Sequence, residues 1–226
     1  MQRTRVKICG ITRPPDALAA AEAGADAIGI VLHANSKRLV TMDEAAAILG
    51  VVPALVMRIG LFVDDDPIAI AATARVLGLS AVQLHGAESP DMVDQLAPLP
   101  VIKAISVNAR TLEAELGRWR DERPTNLVGL LLDSAGPGGS GGSGVVNDWE
   151  LLAHHIRVGH FIGLPPLIAA GGLTPQNVGE VIRKLHPWAV DVSSGVEARP
   201  GEKSAELMEA FVDATQKSEK QGPSDR

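Results

Sequence analysis

The chain alternates between two kinds of segment along most of its length. Short runs that are apolar at nearly every position alternate with longer segments that mix alanine, leucine and charged residues. The first kind is typical of strands buried on both faces, and the second is typical of amphipathic helices. Strands are predicted over 5–9, 27–32, within 54–63, and over 81–85, 101–105, 127–133, 166–170 and 189–193. Helices are predicted over 14–23, 42–49, 67–77, 90–96, 111–120, 148–156, 175–185 and 204–215.

This order makes eight βα units in a chain of 226 residues. Strands that helices cover on both faces form parallel sheets, and eight such units at this length favour a closed barrel. The predicted fold class is therefore α/β, a (β/α)8 TIM barrel that forms a single domain over residues 1–216. An open, doubly wound sheet is the alternative. Residues 217–226 are polar and are predicted to be a disordered tail.

Composition excludes several classes of protein. The chain has 21 basic and 27 acidic residues, so it lacks the basic excess of most nucleic-acid-binding proteins. No uncharged apolar run approaches the roughly 20 residues of a membrane span, and the N-terminus has no apolar signal region. Cys9 is the only cysteine, which excludes an internal disulfide and makes the cytoplasm the expected location. The three clustered histidines, His154, His155 and His160, lack metal-ligand spacing, so no metal site is predicted.

Polar residues gather at the C-terminal ends of the predicted strands, where barrels of this kind have their active sites. Strand alternation points Lys7 and Cys9 into the barrel, together with Asp133 and Asp191. A lone cysteine is most often a small buried apolar residue, and Lys7 could simply neutralise Asp191. The convergence of these groups on one mouth nevertheless favours catalysis, because buried charges need partners or a task.

Glycine and serine follow the seventh and eighth strands, where barrels commonly bind phosphate. Their loops contain Gly171, Gly172, Ser193, Ser194 and Gly195. Backbone N–H groups in such loops can approach an anion closely, so a phosphate site is predicted here, with ordinary turn chemistry as the alternative. A third glycine-rich segment, 134–149, matches a dinucleotide-binding fingerprint only weakly and is predicted to be a lid or a substrate-binding loop.

A series of short motifs follows in a fixed order from Val6 to Phe211. The motifs are VKICGIT (6–12), Ser36-Lys37-Arg38, GLFVD (60–64), VQLHG (82–86), LLDS (131–134), GGSG with a following DW (141–149), AAGGLTPQNV (169–178), DVSSGVE (191–197) and PGEK (200–203). The ordered set resembles the phosphoribosylanthranilate isomerase family of tryptophan biosynthesis. Two departures concern loops: Asn147 stands where the family often has an aromatic residue, and Ser204 where it usually has aspartate.

The resemblance implies a reaction and roles for single residues. The reaction is an Amadori rearrangement of N-(5-phosphoribosyl)anthranilate to 1-(2-carboxyphenylamino)-1-deoxyribulose 5-phosphate, with Cys9 as general base and Asp133 as general acid. Arg38 is implied to bind the anthranilate carboxylate. The remaining implied contacts are with substrate at Gln83, His85 and Asp191, and with phosphate at Gly171, Gly172, Ser193, Ser194 and Gly195. Such an aldose–ketose isomerase needs no cofactor and is a monomer or a homodimer.

These roles make two demands on the surroundings. A base at Cys9 must lose its proton, and the neighbouring cation Lys7 is expected to lower the pKa of the thiol below about 8.5. Arg38 has no acidic residue within four positions, so no local partner is expected to compete with a bound carboxylate.

Three alternatives remain. A related phosphosugar isomerase of histidine biosynthesis would have aspartate in place of Cys9. An indole-glycerol-phosphate synthase would have lysine and glutamate in its early strands. A barrel that binds a phosphosugar without turnover is the third.

Overall fold

The computed structural model describes residues 3–32, 36–134 and 148–220. Within these residues eight strands form a closed barrel in chain order, and every neighbouring pair is parallel. The strands are β1 (Arg5–Cys9), β2 (Ala27–Val31), β3 (Met57–Phe62), β4 (Ala81–Leu84), β5 (Val101–Val107), β6 (Leu127–Ser134), β7 (Leu167–Ala169) and β8 (Ala189–Val192). Because β1 pairs with both β2 and β8, the predicted barrel is confirmed and the open sheet is wrong.

A helix follows each strand and covers the outside of the barrel. The helices are α1 (Pro14–Glu22), α2 (Met42–Gly50), α3 (Pro67–Leu77), α4 (Pro90–Gln95), α5 (Leu112–Asp121), α6 (Trp149–Arg157), α7 (Val178–Leu185) and α8 (Ala205–Lys220). The start of α7 lies three residues beyond the predicted one at 175. The side chain of Asn177 accepts from the N–H of Thr174 and donates to the carbonyl of Gly172, which holds this segment as a turn.

Local sequence signals set several helix ends and thereby the lengths of the loops at the barrel mouth. Thr41 and Glu44 form a capping box at the start of α2. Asp66 caps the first turn of α3 by accepting from two backbone N–H groups. The same helix ends at Gly78, whose left-handed backbone (φ 61°) stops the helix at little conformational cost.

The core has two layers that follow the alternation of side chains along the strands. Val190 and Val192 of β8 belong to the apolar cluster between the strands and the helices. Ala189 belongs to a second cluster inside the barrel, with Leu131 of β6. Each buried leucine or valine stabilises the fold by about 1.5–3 kcal/mol, which fixes the facing of every strand. The inward positions nearest the C-terminal mouth are left for polar side chains.

A small hairpin extends the chain beyond β8. After a short 3-10 helix (Ser194–Val196), β9 (Glu197–Arg199) pairs antiparallel with β10 (Glu202–Lys203). Three contacts fasten the hairpin to the loop after β1 and the first turn of α1: Thr12 Oγ1 donates to the carbonyl of Gly201, the Lys203 N–H donates to Asp16 Oδ2 (3.1 Å), and Arg13 pairs with Glu202 (3.1 Å). The hairpin therefore joins the segments that follow the first and eighth strands at the C-terminal mouth of the barrel.

The last helix is longer than the predicted 204–215 and reaches Lys220. The hydroxyl of Thr215 donates to the carbonyl of Phe211, and that of Ser218 donates to the carbonyl of Thr215, so both buried hydroxyls are satisfied within the helix. Residues 217–220, predicted as part of a disordered tail, are therefore helical. Residues 221–226 lie outside the described part of the chain.

Candidate active site

Four polar side chains converge inside the C-terminal mouth of the barrel, as the strand alternation predicted. Lys7, Cys9, Asp133 and Asp191 are each less than one-tenth exposed. They come from β1, β6 and β8, and β8 pairs directly with β1 in the closed sheet. The charges of Lys7 and Asp133 both act on Asp191, which places the three strand ends in one electrostatic environment.

Lys7 and Asp191 form a buried ion pair with Nζ and Oδ1 2.9 Å apart. Burial alone would lower the pKa of Lys7, but the neighbouring Asp191 and Cys9 outweigh it and raise that pKa above its ordinary value. A Cβ built on Gly29 of β2 would lie 2.8 Å from Cys9 Sγ and 3.2 Å from Lys7 Nζ. The thiol and the ammonium group are therefore within about 6 Å of each other, over a position where only glycine leaves room.

The pKa of Cys9 departs from the expectation. Burial raises the pKa of the thiol, and the opposing effects of Lys7 and Lys203 do not overcome it. The expected depression below the ordinary value is therefore wrong. The main physical reason is burial of the thiol, and the nearby charge of Asp191 adds to it by opposing the effect of Lys7.

A hydrogen-bonded row leads from the interior of β4 to Asp133. Gln83 Nε2 lies 3.0 Å from His85 Nδ1, and His85 Nε2 lies 3.3 Å from Asp133 Oδ2. With the amide nitrogen of Gln83 as donor, His85 carries its proton on Nε2 and donates it to Asp133. Gln83 and His85 are predicted as substrate contacts; in the structure they contact each other, and His85 also contacts Asp133.

Arg38 has a partner that its local sequence did not predict. Its Nε donates to Glu197 Oε1 (2.7 Å) and its Nη2 donates to Glu197 Oε2 (2.9 Å), a bidentate pair between residues 159 positions apart. The expectation of no competing partner, based on neighbours within four positions, is wrong because β9 brings Glu197 from the other end of the chain. Arg38 also lies against Gly10, next to the hydroxyl of Ser193.

Lys203 was not predicted as a site residue, although it is part of the quoted PGEK motif. Its side chain is completely buried, and its Nζ donates to Glu197 Oε1 (2.9 Å) and to the carbonyl of Ser193 (3.0 Å). Burial lowers the pKa of Lys203, and Glu197 opposes this effect. The hairpin itself carries a signal that could have identified Lys203. Its two strands place the opposite charges Glu197 and Lys203 at paired positions.

The loops predicted to bind phosphate lie next to each other. Gly171 and Gly172 follow β7 with positive φ angles of 91° and 66°. In the adjacent loop, Ser193 precedes the short 3-10 helix, and Gly195 lies directly against the backbone of Leu173. The turn after β7 is held by Asn177, the residue just before α7, so this loop is fixed beside the one that follows β8.

A second buried ion pair supports the loop after β4. Lys103 shares the outward face of β5 with Val101 and Ile105, so it points away from the barrel interior. Its Nζ lies 2.9 Å from Glu88 Oε2 and donates to the carbonyl of Gly86 (2.8 Å). Glu88 in turn accepts from the N–H groups of Asp64 and Gly86. This pair holds the segment that follows His85.

The clustered histidines lie at and just beyond the C-terminal end of α6, where His154 is exposed and His155 is buried. His155 is 6% exposed, and its Nδ1 lies 2.7 Å from Nδ1 of His160. His160 Nε2 lies 3.8 Å from Glu113 of α5. Burial lowers the pKa of His155, and His160 and His154 add to the effect. No group of three residues suited to hold a metal ion occurs in the described parts of the chain.

Two segments next to predicted site residues lie wholly or partly outside the described residues. The loop ahead of Arg38 includes residues 33–35, and most of the glycine-rich segment, 135–147, with Asn147, lies outside the described residues. Among the helices that the structure does describe, none combines the length and the apolar character that crossing a membrane requires.

The chain is similar to known proteins along nearly its whole length. The family model described as N-(5′phosphoribosyl)anthranilate (PRA) isomerase matches residues 6–214. The N-(5′-phosphoribosyl)anthranilate isomerase of Chromohalobacter salexigens is 46% identical over 213 residues, which are 94% of this chain and 94% of the relative.

Solved structures agree as well. The phosphoribosyl anthranilate isomerase of Thermotoga maritima is 39% identical with a TM-score of 0.83, over 95% of this chain and 99% of that one. A phosphoribosyl anthranilate isomerase in complex with reduced 1-(o-carboxyphenylamino)-1-deoxyribulose 5-phosphate is 37% identical with a TM-score of 0.80, over the same shares of the two chains. The barrel and its polar mouth agree with this similarity, which extends over more than nine-tenths of the sequence. The chain therefore belongs to the N-(5′-phosphoribosyl)anthranilate isomerase family, the isomerases of tryptophan biosynthesis.

Proposed function

We propose that the protein converts N-(5-phosphoribosyl)anthranilate to 1-(2-carboxyphenylamino)-1-deoxyribulose 5-phosphate, with Cys9 as the base and Asp133 as the acid. The observation that carries the proposal is that Cys9 and Asp133 lie in the same barrel mouth, each beside a different polar neighbour. Cys9 lies beside the cation Lys7, and Asp133 lies beside His85. An aldose–ketose isomerisation needs one group that gives a proton and another that takes one.

Asp133 begins the reaction by protonating the ring oxygen of the ribose. The C1′–O bond then breaks, and the nitrogen lone pair forms the C1′=N bond of a protonated Schiff base. His85 Nε2 lies 3.3 Å from Oδ2 of Asp133, within reach of the carboxyl group that gives the proton. The same His85 N–H stabilises the carboxylate that remains after the transfer.

Cys9 takes the second proton. Its thiol loses a proton to solvent, and the resulting thiolate removes the proton from C2′. The C2′–H electron pair forms the C1′=C2′ bond of an enolamine while the nitrogen becomes neutral. Transfer of a proton from the C2′ hydroxyl to C1′, through the active-site groups or solvent, gives the ketone. Because burial holds the thiol protonated at rest, the activity should rise with pH as the thiol ionises.

The two ends of the substrate fit the two cationic or N–H-rich parts of the mouth. The anthranilate carboxylate suits Arg38, whose guanidinium still has N–H groups beyond the two that Glu197 takes. The phosphate suits the corner formed by Gly171, Gly172 and the segment 193–195. Gln83, His85 and Asp191 act by holding Asp133 and Lys7 in this scheme. A cytoplasmic location and a monomeric or homodimeric state stay predictions.

The test is the loss of phosphoribosylanthranilate fluorescence with purified protein, beside rescue of a tryptophan-requiring strain. Parent protein should give both, and the Cys9→Ala variant should give neither. Parent protein that binds inorganic phosphate but leaves the substrate unchanged would favour the non-catalytic barrel. Turnover confined to the phosphosugar substrate of histidine biosynthesis would favour that isomerase in spite of Cys9.

A further inference from the structure

Glu197 has an unusual position for an acidic residue next to a site that binds anions. Its side chain is 5% exposed and contacts two cations at once. Oε1 accepts from both Arg38 Nε (2.7 Å) and Lys203 Nζ (2.9 Å), and Oε2 accepts from Arg38 Nη2 (2.9 Å). Burial alone would raise the pKa of Glu197, but these hydrogen bonds hold it below its ordinary value, so Glu197 is ionised.

On one side, Glu197 fixes how Arg38 can meet a ligand. A guanidinium presents two edges for bidentate binding, and Glu197 occupies the one formed by Nε and Nη2. The edge that includes Nη1 has no partner among the described residues. Because a bidentate pair fixes the plane of the guanidinium, Glu197 sets the orientation of the edge left for a carboxylate.

On the other side, Glu197 keeps Lys203 charged and in place. Lys203 is completely buried, and its burial lowers its pKa. Its Nζ donates to the carbonyl of Ser193, which begins the loop proposed to bind phosphate. Without Glu197, an isolated buried ammonium would be destabilised, and its hold on Ser193 would weaken.

We propose that Glu197 is a positioning residue that orients Arg38 for the carboxylate end of the substrate and holds Ser193, through Lys203, for the phosphate end. This inference rests on the proposed function. Its distinctive content is that one carboxylate sets the affinity at both ends of the ligand. A residue that merely stabilised the fold would change neither affinity, and one that acted only by its charge would weaken anion binding in the parent protein.

The test compares Glu197→Gln and Glu197→Asp with the parent. The measurements are KM and kcat for phosphoribosylanthranilate, the competitive inhibition constant of inorganic phosphate, and the thermal midpoint. Glu197→Gln should raise KM about 10- to 100-fold, as expected for loss of a charge-assisted contact. It should also raise the phosphate constant about 3- to 10-fold while kcat changes less than KM. Glu197→Asp retains the charge but is one methylene shorter, so it should raise both constants in the same direction.

Three further variants complete the design. Arg38→Met should raise KM without changing the phosphate constant, and the double variant Arg38→Met/Glu197→Gln should raise KM by less than the product of the single effects. Glu202→Gln is the matched control, since Glu202 lies on the same hairpin and pairs with Arg13 and Arg199 instead. It should leave both constants unchanged.

Three results would overturn the inference. The first is a lower thermal midpoint in Glu197→Gln with both constants within twofold of the parent, which identifies a structural role. The second is tighter binding of substrate and phosphate by Glu197→Gln, which identifies a purely repulsive charge. The third is a Glu197→Asp variant whose KM and phosphate constant equal those of the parent. This measurement remains decisive if Glu197→Gln does not fold. If the parent itself turns over no substrate, the proposed function fails, while calorimetry with inorganic phosphate still tests Glu197 through Ser193.

Discussion

Lys7 and Asp191 stand opposite each other in the register between β1 and β8, with Nζ and Oδ1 2.9 Å apart. The pair closes the barrel and borders the proposed base at the same time, because Cys9 is two residues along the same strand. Replacing a buried ion pair by apolar residues is often neutral or stabilising. Stability alone therefore does not explain why this pair is present. Its place beside Cys9 indicates an effect on the ionisation of the thiol.

Lys7→Met should shift the rising limb of the pH profile of kcat/KM to higher pH. Lys7 lowers the pKa of the Cys9 thiol against the larger effect of burial, so removing the cation raises that pKa further. A cation within about 4–6 Å changes a pKa by roughly 1–3 units, and a shift of at least about 1 unit is expected. The measurement is kcat/KM as a function of pH, extended through the alkaline range in which the limb of the parent rises.

The control for this variant separates ionisation from folding. Lys7→Met leaves Asp191 buried without its cation, which costs about 3–5 kcal/mol in comparable cases. The double variant Lys7→Met/Asp191→Asn removes that charge and should recover much of the thermal midpoint while keeping the shifted limb. A folded variant whose limb coincides with that of the parent would show that Cys9 is not the titrating base or that Lys7 does not act on it.

Cys9→Ala should lower kcat by about 10²- to 10⁴-fold, the usual contribution of a general base. Competitive inhibition by inorganic phosphate should be unchanged, because the proposed phosphate loops follow β7 and β8 rather than β1. Cys9→Ser provides a near-isosteric comparison, and its weakly acidic hydroxyl should be almost as inactive. Near-parental kcat in either variant would identify Cys9 as a packing residue.

Gly29→Ala should displace Cys9, the proposed base, without changing its chemistry. The new methyl group would lie 2.8 Å from Cys9 Sγ and 3.2 Å from Lys7 Nζ, so one or both side chains must move. Misplacement of a reacting group by about 1 Å can lower the rate about 10²-fold. We therefore expect kcat of Gly29→Ala to fall about 10- to 100-fold.

Gly117→Ala is the matched control for Gly29→Ala. Gly117 lies within α5, and a Cβ there meets nothing within 4 Å, so the substitution should keep full activity and stabilise the helix by about 0.5–1 kcal/mol. Equal kcat in the two alanine variants would contradict the crowding at Gly29.

His155 should make the protein less stable as the pH falls below about 6.5. The folded state lowers the pKa of His155 from the ordinary 6.5 through burial, with His160 and His154 adding to the effect and Glu113 opposing it. Below that pH the unfolded chain binds a proton at this residue that the folded protein resists, so the free energy of unfolding decreases. Above it, both states are neutral and the penalty is absent.

The check is the thermal midpoint of the parent and of His155→Phe at pH 7.5 and pH 5.5. Titrating groups that do not interact with His155 contribute to both proteins alike, so the difference between the two pH values should be smaller in the variant. An equal or larger loss in His155→Phe would show that the acid sensitivity comes from elsewhere.

Sequence periodicity was sufficient for the barrel because one physical rule governs all eight strands. Val190 and Val192 must face the helices, and Ala189 and Asp191 are then left facing inwards. Boundaries were less accurate where a local signal was ambiguous. Thr174-Pro175 has the sequence of a helix start. The side chain of Asn177 instead accepts from the N–H of Thr174 and holds this segment as a turn, so α7 begins only at Val178.

The charged partners of the site were harder to predict. Strand alternation placed Cys9, Asp133 and Asp191, since it depends only on neighbouring residues. The pairing of Arg38 with Glu197 depends on the path of a hairpin 159 residues away, which no local pattern encodes. The net ionisation of Cys9 likewise depends on burial and on how far Asp191 neutralises Lys7, and both require three-dimensional positions.

The closure of the barrel by its first and eighth strands has a consequence during synthesis. Lys7 and Asp191 are separated by 184 residues, so β1 leaves the ribosome long before its partner exists. At about 5–20 residues per second, the ribosome needs roughly 9 to 37 s to make the intervening chain. During that interval the ammonium of Lys7 has no counter-ion in the sheet and stays hydrated. Cys9, the proposed base, can therefore acquire its surroundings only when nearly all of the polypeptide has been translated.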